Sequence, residues 1–377
     1  GWSQTTLSDI LQSVERNNVS LQAARENVKA QSLEARVGNS LEDLTISYDH
    51  LWGSGNGLGQ NGELTVSQEF LFPTVYARRN KLAGNMALRY ENEYLDLRQQ
   101  TLLEAKVLFI ELQSLYKREK LLKSRLSSNT YLQKLYDKRY EEGDATVLDK
   151  MRIDNELLIL RETMSECRMR MIELEKRLRS LNGGEELDIQ PIDEPMESYR
   201  SYDETLSDYE TYAPQLLSYK LRQEGSELDL RLSRSKAIPK IELGYRHEYG
   251  TAERDRFNGV TTSLSIPLFS NRHNVKRAQA ARTAAVLEAQ AATIECASTL
   301  SELYAKAELL KETLSEYEGL HAQDDYYRVL KKALDGGEIT ITEYFAEIYA
   351  LYDVIESRYR IETEYRTVIA SINMIYL

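Results

Sequence analysis

The stretch VTTSLSIPLFSNR (260–272) joins two kinds of sequence periodicity. Its first residues alternate, with Val260, Thr262, Leu264, Ile266 and Leu268 on one side and Thr261, Ser263 and Ser265 on the other. Such alternation is typical of a β-strand with one apolar and one polar face. After Asn271 the chain is rich in Ala, Leu, Glu, Lys and Arg, which favour a helix. The fold must therefore join a short two-faced strand to a very long helix.

The same order of elements occurs twice along the chain. The first repeat (1–181) is predicted to contain a helix at 6–37, a β-hairpin at 44–72, a helix at 75–141, a tip at 141–146 and a helix at 147–181. The hairpin has predicted strands at 44–52 and 63–72 around a glycine-rich loop at 53–62. The second repeat (203–377) is predicted to contain a helix at 203–235, a β-hairpin at 239–269, a helix at 274–334, a tip at 335–340 and a helix at 342–374. Its hairpin has a predicted polar loop at 251–259, and the fourth strand is predicted at 260–269. Residues 182–202 are predicted to form a linker. Because 194 residues separate Gly143 from Gly337 and 195 separate Leu21 from Leu216, duplication of one unit explains the order better than chance.

The predicted helices are too long for an ordinary globule. About 65 residues of helix would extend for about 100 Å. Apolar residues in the first long helix, such as Leu102, Val107 and Ile110, recur every three to four positions. We therefore expect the helices to pack lengthwise in a coiled-coil-like bundle. No apolar run approaches the roughly 18–20 residues of a membrane-spanning helix.

Each of the four predicted strands has one apolar face. That face carries Ile46, Tyr48, Trp52, Leu64, Val66, Phe70, Phe72, Ile241, Leu243, Tyr245, Tyr249, Val260, Leu264, Ile266 and Leu268. The intervening residues are mostly polar or charged, which is typical of a barrel with lipid outside and water inside. The alternative is an antiparallel sheet that covers a protein core. Four strands are too few to enclose a channel, so a barrel would need several chains, and three chains would supply twelve strands.

The sequence resembles the TolC-type outer-membrane efflux protein family, which includes a heavy-metal efflux branch. The resemblance covers nearly the whole chain. It is carried by an NxxLxxAR-like start (18–25), by SIPLF (265–269) with its looser counterpart SQEFLF (67–72), and by the tips RYEEGDATVLD (139–149) and LDGGEITITE (334–343). No single motif is specific, but their order, duplicated at a constant spacing, is.

The resemblance implies a fold class that is mainly α with a small β part. Each chain would add four strands to a trimeric twelve-stranded outer-membrane β-barrel, and its helices would form a tunnel into the periplasm. The implied function is the passive exit duct of a tripartite efflux or type I secretion system. Its implied partners are two further copies, a periplasmic adaptor protein, an inner-membrane pump of RND or ABC type, and outer-membrane lipid. A soluble periplasmic coiled-coil scaffold or adaptor without a barrel is the alternative.

The tips are the candidate functional sites that the resemblance implies. Gly143, Gly336 and Gly337 match tip turns that contact the adaptor, where a tight connection needs a permissive backbone. The resemblance places four acids at the periplasmic entrance: Asp144, Asp149, Glu338 and Glu343. Rings of carboxylates attract cations. The alternative for Asp149 and Glu343 is an acid favoured by the dipole of a helix N-terminus.

The sequence also excludes several classes of protein. The net charge of −12 argues against a nucleic-acid partner. We find no phosphate-binding loop, nucleophile elbow or HExxH motif, so no enzymatic activity is expected. Four scattered histidines and two lone cysteines predict no metal site, and no cofactor is expected. Some members of the family close the entrance with a Tyr and an Arg, but Leu334 and Ile339 stand at those positions here.

Overall fold

The computed structural model of the protein describes residues 6–55, 57, 59–250, 256–269, 271–318 and 323–377. The first half contains α1 (Leu7–Asn17), α2 (Val19–Val37), β1 (Leu44–Trp52), β2 (Gln60–Phe70), α3 (Pro73–Glu142) and α4 (Val147–Leu181). The second half contains α5 (Tyr202–Tyr212), α6 (Pro214–Ser235), β3 (Lys240–Gly250), β4 (Arg256–Ser265), α7 (Arg272–Glu318), α8 (Gln323–Asp335), α9 (Ile341–Ile372) and a 3₁₀ turn (Asn373–Tyr376). The prediction of a mainly helical fold with a small β part is confirmed. Among the described helices, none combines the length and the apolar character needed to cross a membrane.

Two helices that we predicted as continuous are each divided into two. The helix at 6–37 is interrupted at Asn18, whose backbone is extended and whose side chain accepts a hydrogen bond from the Leu21 N–H at 2.9 Å. Asn18 therefore caps α2 instead of continuing α1. The helix at 203–235 is interrupted at Ala213, because the residue before a proline avoids helical geometry and Pro214 begins α6.

The four strands form one antiparallel sheet in the order β1-β2-β3-β4. The boundaries of β1 are as predicted, but β2 begins at Gln60, inside the predicted loop, because it pairs with Trp52. The predicted fourth strand (260–269) is wrong in position. β4 begins at Arg256, which pairs with Tyr249, and ends at Ser265, before Pro267. Ile266 therefore follows the strand.

Parts of three predictions lie outside the described residues. They are positions 56 and 58 of the first hairpin loop, 251–255 of the second hairpin loop, and 319–322 of the predicted helix at 274–334. The structure describes the ends of that helix as α7 and α8.

The chain forms two compact units, and each takes segments from both halves of the sequence. The helical unit comprises 1–22, 97–209 and 296–377, and the sheet unit comprises 23–96 and 210–295. The repeat boundaries predicted from the sequence follow chain order and stay a prediction.

The helical unit contains the larger apolar clusters. One cluster joins α1, α3 and α4 and includes Ile10, Phe109, Leu112 and Leu178, all buried. The predicted linker forms no helix or strand before Tyr202, but it is held against the helices. Lys106 forms an ion pair with Glu197 at 2.6 Å, and the Ile192 N–H donates to the side chain of Gln113 at 2.9 Å.

Candidate functional site

The tip between α3 and α4 ends in a left-handed glycine. Gly143 has a φ of +82°, and its N–H donates to the Tyr140 carbonyl at 3.1 Å. The Asp144 N–H donates to the Arg139 carbonyl at 2.7 Å. This pair of bonds is a Schellman C-cap, which satisfies carbonyls that the end of α3 would leave unpaired.

The tip between α8 and α9 has the same geometry. Gly337 has a φ of +69° and donates to Leu334, while Glu338 donates to Ala333 at 2.8 Å. Gly336 keeps an ordinary backbone conformation. The left-handed glycine of each tip, Gly143 or Gly337, therefore lies three residues before the threonine that caps the next helix. The equivalence of the two tips that we predicted from their spacing therefore extends to their hydrogen bonds.

Both tips continue into a helix that begins with a capping box. Thr146 and Asp149 exchange bonds at the start of α4: the carboxylate accepts from the Thr146 N–H at 2.8 Å and from its hydroxyl at 2.7 Å. Thr340 and Glu343 do the same at the start of α9, at 2.8 and 2.9 Å. Each acid thus satisfies N-terminal groups of its own helix.

These contacts define what the four tip acids can do. The hydrogen bonds from the Thr340 backbone and hydroxyl lower the pKa of Glu343, so that it is charged at neutral pH. In both capping boxes the two bonds that Thr donates reach the same carboxylate oxygen, so the other oxygen accepts neither of them. Asp144 and Glu338 are exposed and serve in the C-caps through their backbones. The structure therefore shows the capping role of Asp149 and Glu343 directly, and a role at the entrance stays a prediction.

One apolar cluster supports both tips. It includes Leu132, Ile153, Leu334, Phe345 and Ile348, all buried, from the four helix ends that meet there. Leu334 is 2% exposed, and Ile339 packs against the same cluster. The two positions that would carry a Tyr–Arg lock are therefore part of the core.

The two tips differ in the apolar surface that they expose. At the start of α4, Val147, Leu148 and Met151 are 53%, 72% and 55% exposed. In the second repeat the counterparts of Val147 and Met151, namely Ile341 and Phe345, are buried, and the counterpart of Leu148 is the polar residue Thr342. The tip between α3 and α4 thus presents an apolar surface that nothing within the described residues covers.

The register of the sheet places the predicted apolar residues on one face. Ile46 pairs with Val66, Val66 with Tyr245, and Tyr245 with Val260, which forms one apolar row across all four strands. Phe70, Ile241 and Leu264 form a second row. Most members of the face are strongly exposed: Ile46 66%, Tyr48 54%, Trp52 74%, Leu64 39%, Leu243 46%, Tyr245 52%, Val260 79% and Leu264 59%.

The opposite face of the sheet is polar and carries ion pairs. Lys240 contacts Glu69 at 2.7 Å, and Arg246 contacts Glu63 at 2.5 Å. This face also carries Thr45, Ser67 and Thr261, which lie in the rows that alternate with the apolar rows. A sheet with one exposed apolar face and one charged face is suited to separating lipid from water.

Aromatic side chains cross the strands near one end of the apolar face. The hydroxyl groups of Tyr48 and Tyr249 are hydrogen bonded at 2.7 Å, although β2 lies between their strands. The ring of Tyr249 lies over Gly62, where a Cβ atom would overlap it. Gly62 thus permits a close approach that a larger residue would prevent.

Sequence reasoning missed a buried polar group inside the helical unit. The Arg125 guanidinium lies 4.0 Å from the centre of the Tyr352 ring, and burial lowers its pKa. Glu156 on α4 is 5% exposed, and burial raises the pKa of its carboxyl. Both line a cavity of about 260 Å³. Arg and Glu on a long helix look like surface residues in sequence, so their pattern carries no signal of burial.

Comparison with known proteins finds that part of the chain is similar to outer-membrane efflux proteins. Residues 206–345 match the family model described as "Outer membrane efflux protein". No curated protein sequence matches the chain. The family model and the similarity in fold to solved outer-membrane channels confirm the resemblance inferred from the sequence.

Solved structures of similar fold cover almost the entire chain. A membrane protein from Pseudomonas aeruginosa is 16% identical, with a TM-score of 0.84, and the match covers 98% of this chain and 93% of that chain. CusC, solved in work on transmembrane channel formation, is 12% identical, with a TM-score of 0.83 and coverages of 99% and 92%. The outer membrane protein VceC from Vibrio cholerae is 15% identical, with a TM-score of 0.78 and coverages of 98% and 95%. The family model that residues 206–345 match describes an efflux protein, which agrees with the prediction that the chain is not an enzyme.

Proposed function

We propose that three copies of this chain form the outer-membrane exit duct of a tripartite efflux or type I secretion system. The duct spans the outer membrane and extends into the periplasm. The observation that carries the proposal is the sheet, whose apolar face is exposed from β1 to β4 while its opposite face is charged. The family match and the similar folds favour this function over a soluble scaffold.

The dimensions and edges of the sheet support a shared barrel. Its strands contain 9, 11, 11 and 10 residues, within the range of about 9–11 that a tilted strand needs to cross a bilayer. β1 and β4 each pair with only one strand, so each leaves an open edge in the described chain. Open edges are not tolerated in lipid, because unpaired backbone groups there are costly. Pairing β4 of one copy with β1 of the next closes twelve strands with threefold symmetry.

The tips form the periplasmic entrance in this proposal. In three copies, Asp144, Asp149, Glu338 and Glu343 supply rings of carboxylates that favour cations. The exposed apolar surface of Val147, Leu148 and Met151 is the proposed contact for the adaptor, next to the turn at Gly143. The inner-membrane pump, of RND or ABC type, supplies the energy in this proposal.

Recording in a planar bilayer tests the duct. The purified protein should form channels whose current is linear in voltage and needs no nucleotide. Discrete current steps of one uniform size, as a single kind of pore produces, support the proposal. A protein that remains in the aqueous phase and gives no current, although it is folded by circular dichroism, contradicts it.

A pair of matched variants separates charge from capping at the entrance. Asp149→Asn with Glu343→Gln removes two charges per chain but keeps oxygens that can accept the cap bonds. Asp149→Ala with Glu343→Ala removes both the charges and the cap bonds that the carboxylates accept from Thr146 and Thr340. If the acids select cations, both double variants reduce the preference for K⁺ over Cl⁻. If only the Ala pair alters conduction, the acids act through the caps and the entrance role is wrong.

A further inference from the structure

Three segments of this acidic chain carry only positive charge. Residues 73–90, 230–241 and 266–287 each contain four Lys or Arg and no Asp or Glu. The chain as a whole has a net charge of −12, so these segments run against its composition.

The fold brings the three segments to the same end of the strands. Residues 73–90 follow β2, residues 230–241 lead into β3, and residues 266–287 follow β4. The paired residues Phe70, Ile241 and Leu264 mark the common end of these strands. We name this end, where strands join helices, the basic edge.

Most cations of the basic edge have no carboxylate partner. Five of the twelve form ion pairs within the chain: Arg89, Arg231, Lys240, Arg277 and Arg282. No ion pair is found within the described residues for the other seven: Arg78, Arg79, Lys81, Arg234, Lys236, Arg272 and Lys276. Of these, Arg78 and Arg79 donate to backbone carbonyls or to a serine, and the rest are exposed. Unpaired cations at such density repel one another, and an external anion would relieve that repulsion.

A cavity at the basic edge combines positive charge with apolar walls. It has a volume of about 230 Å³, and Arg79 and Lys236 line it together with Phe72 and Ile238. Asn271 also lines it and is 8% exposed. Its Nδ2 donates to the Ser233 carbonyl at 2.7 Å, but its Oδ1 has no partner among the described residues. A buried acceptor without a donor favours a ligand with a hydroxyl or ammonium group.

Exposed apolar residues continue from the sheet to this cavity. Phe72, Ile266, Leu268 and Phe269 are 41%, 55%, 75% and 88% exposed. A ligand at this edge therefore meets cations, one unpaired acceptor and an apolar surface. A phospholipid offers the matching groups: a phosphate, a polar headgroup and acyl chains.

We propose that the basic edge binds phosphate-bearing headgroups of anionic phospholipids, with one headgroup in the cavity beside Lys236 and Asn271. The inference rests on the proposed function, because it takes the apolar face of the sheet to lie in a bilayer. The basic edge then lies at the surface of the leaflet on the side of the helices. Juxtamembrane Lys and Arg residues interact favourably with anionic headgroups at that depth.

Lipid binding to the delipidated full-length protein in detergent tests the proposal by native mass spectrometry. The probes are dihexanoyl phosphatidylglycerol, dihexanoyl phosphatidylcholine and inorganic phosphate. The test variant is Lys81→Gln with Lys236→Gln and Lys276→Gln, three exposed residues without ion pairs. The matched control removes three exposed lysines of the helical unit: Lys134→Gln, Lys176→Gln and Lys311→Gln.

We expect phosphatidylglycerol to bind more tightly than phosphatidylcholine. The test variant should lose affinity for phosphatidylglycerol by about a hundredfold, at roughly fivefold per charge, whereas the control should match the wild type. Equal loss in both variants, or no loss in the test variant, overturns the proposal. Competition by inorganic phosphate at equal concentration also overturns it, because the site would then take a free anion. Channel recording on the same preparation separates the two proposals: normal conductance without lipid selectivity refutes only the basic edge.

Discussion

A charge placed on the apolar face of the sheet should prevent assembly in a membrane. Val260 lies in the middle of β4, pairs with Tyr245 and is 79% exposed. In a bilayer, Val260→Arg places a cation near the midplane, which costs about 2–4 kcal/mol per chain and roughly 6–12 kcal/mol for three copies. In water the same substitution at an exposed position changes stability by less than about 0.5 kcal/mol. A sheet that lies in lipid is therefore expected to lose much of its stability on this substitution, whereas a sheet that lies in water is expected to lose almost none.

The control for this variant is Ser263→Arg on the same strand. Ser263 is exposed on the polar face, and the register pairs it with Glu242. The new arginine meets water and a carboxylate, so we expect normal assembly. The assay is urea unfolding of the protein reconstituted in phosphatidylcholine vesicles, together with the amount of trimer in the outer-membrane fraction.

Two outcomes would refute the reasoning. The first is a Val260→Arg variant that folds in vesicles with the wild-type unfolding free energy, which would mean that the apolar face does not contact lipid. Alternatively, Ser263→Arg could be as defective as Val260→Arg, in which case the strand would tolerate arginine on neither face and the distinction between the faces would be lost.

Further predictions concern the glycines and one tip acid. Gly337→Ala should destabilise the helical unit by about 1–2 kcal/mol, because residue 337 has a positive φ. Gly84 lies in a helix with open space around it, so Gly84→Ala should stabilise the protein by about 0.5–1 kcal/mol. Chemical unfolding measures both changes. The pKa of Glu343 is lowered in the folded state, so its capping contribution is present above the ordinary glutamate range and is lost as pH falls through the lowered pKa. The difference in stability between wild type and Glu343→Gln should therefore shrink from pH 7 to pH 3, and a constant difference would contradict the cap. Gly62→Ala should destabilise the sheet by about 1–3 kcal/mol through overlap with an aromatic ring, and Gly259→Ala, where space is open, should not.

Much of the fold was predictable because its patterns are local. The two faces of the sheet follow from a side-chain period of two, and the register confirms the rows that contain Ile46 and Val260. The tips were recognisable from a glycine followed by an acid six residues later, since Gly143 and Asp149 belong to adjoining caps.

The rest depends on contacts that are distant in sequence. The break at Asn18 was missed because a capping asparagine fits within an amphipathic pattern, and its partner Leu181 is far along the chain. The start of β4 was missed because pairing with β3, not local composition, extends it to Arg256. The basic edge was equally hidden: its three segments are visible in the sequence, but only the pairing of the strands brings them together.

The most direct test of the central claim is the mass of the detergent-extracted protein, measured by light scattering and corrected for bound detergent. The account predicts a species of three chains, each of 43.5 kDa, that aggregates when detergent is withdrawn. A stable monomer or dimer in detergent-free buffer would contradict it, because the apolar face of the sheet would then have no lipid to contact.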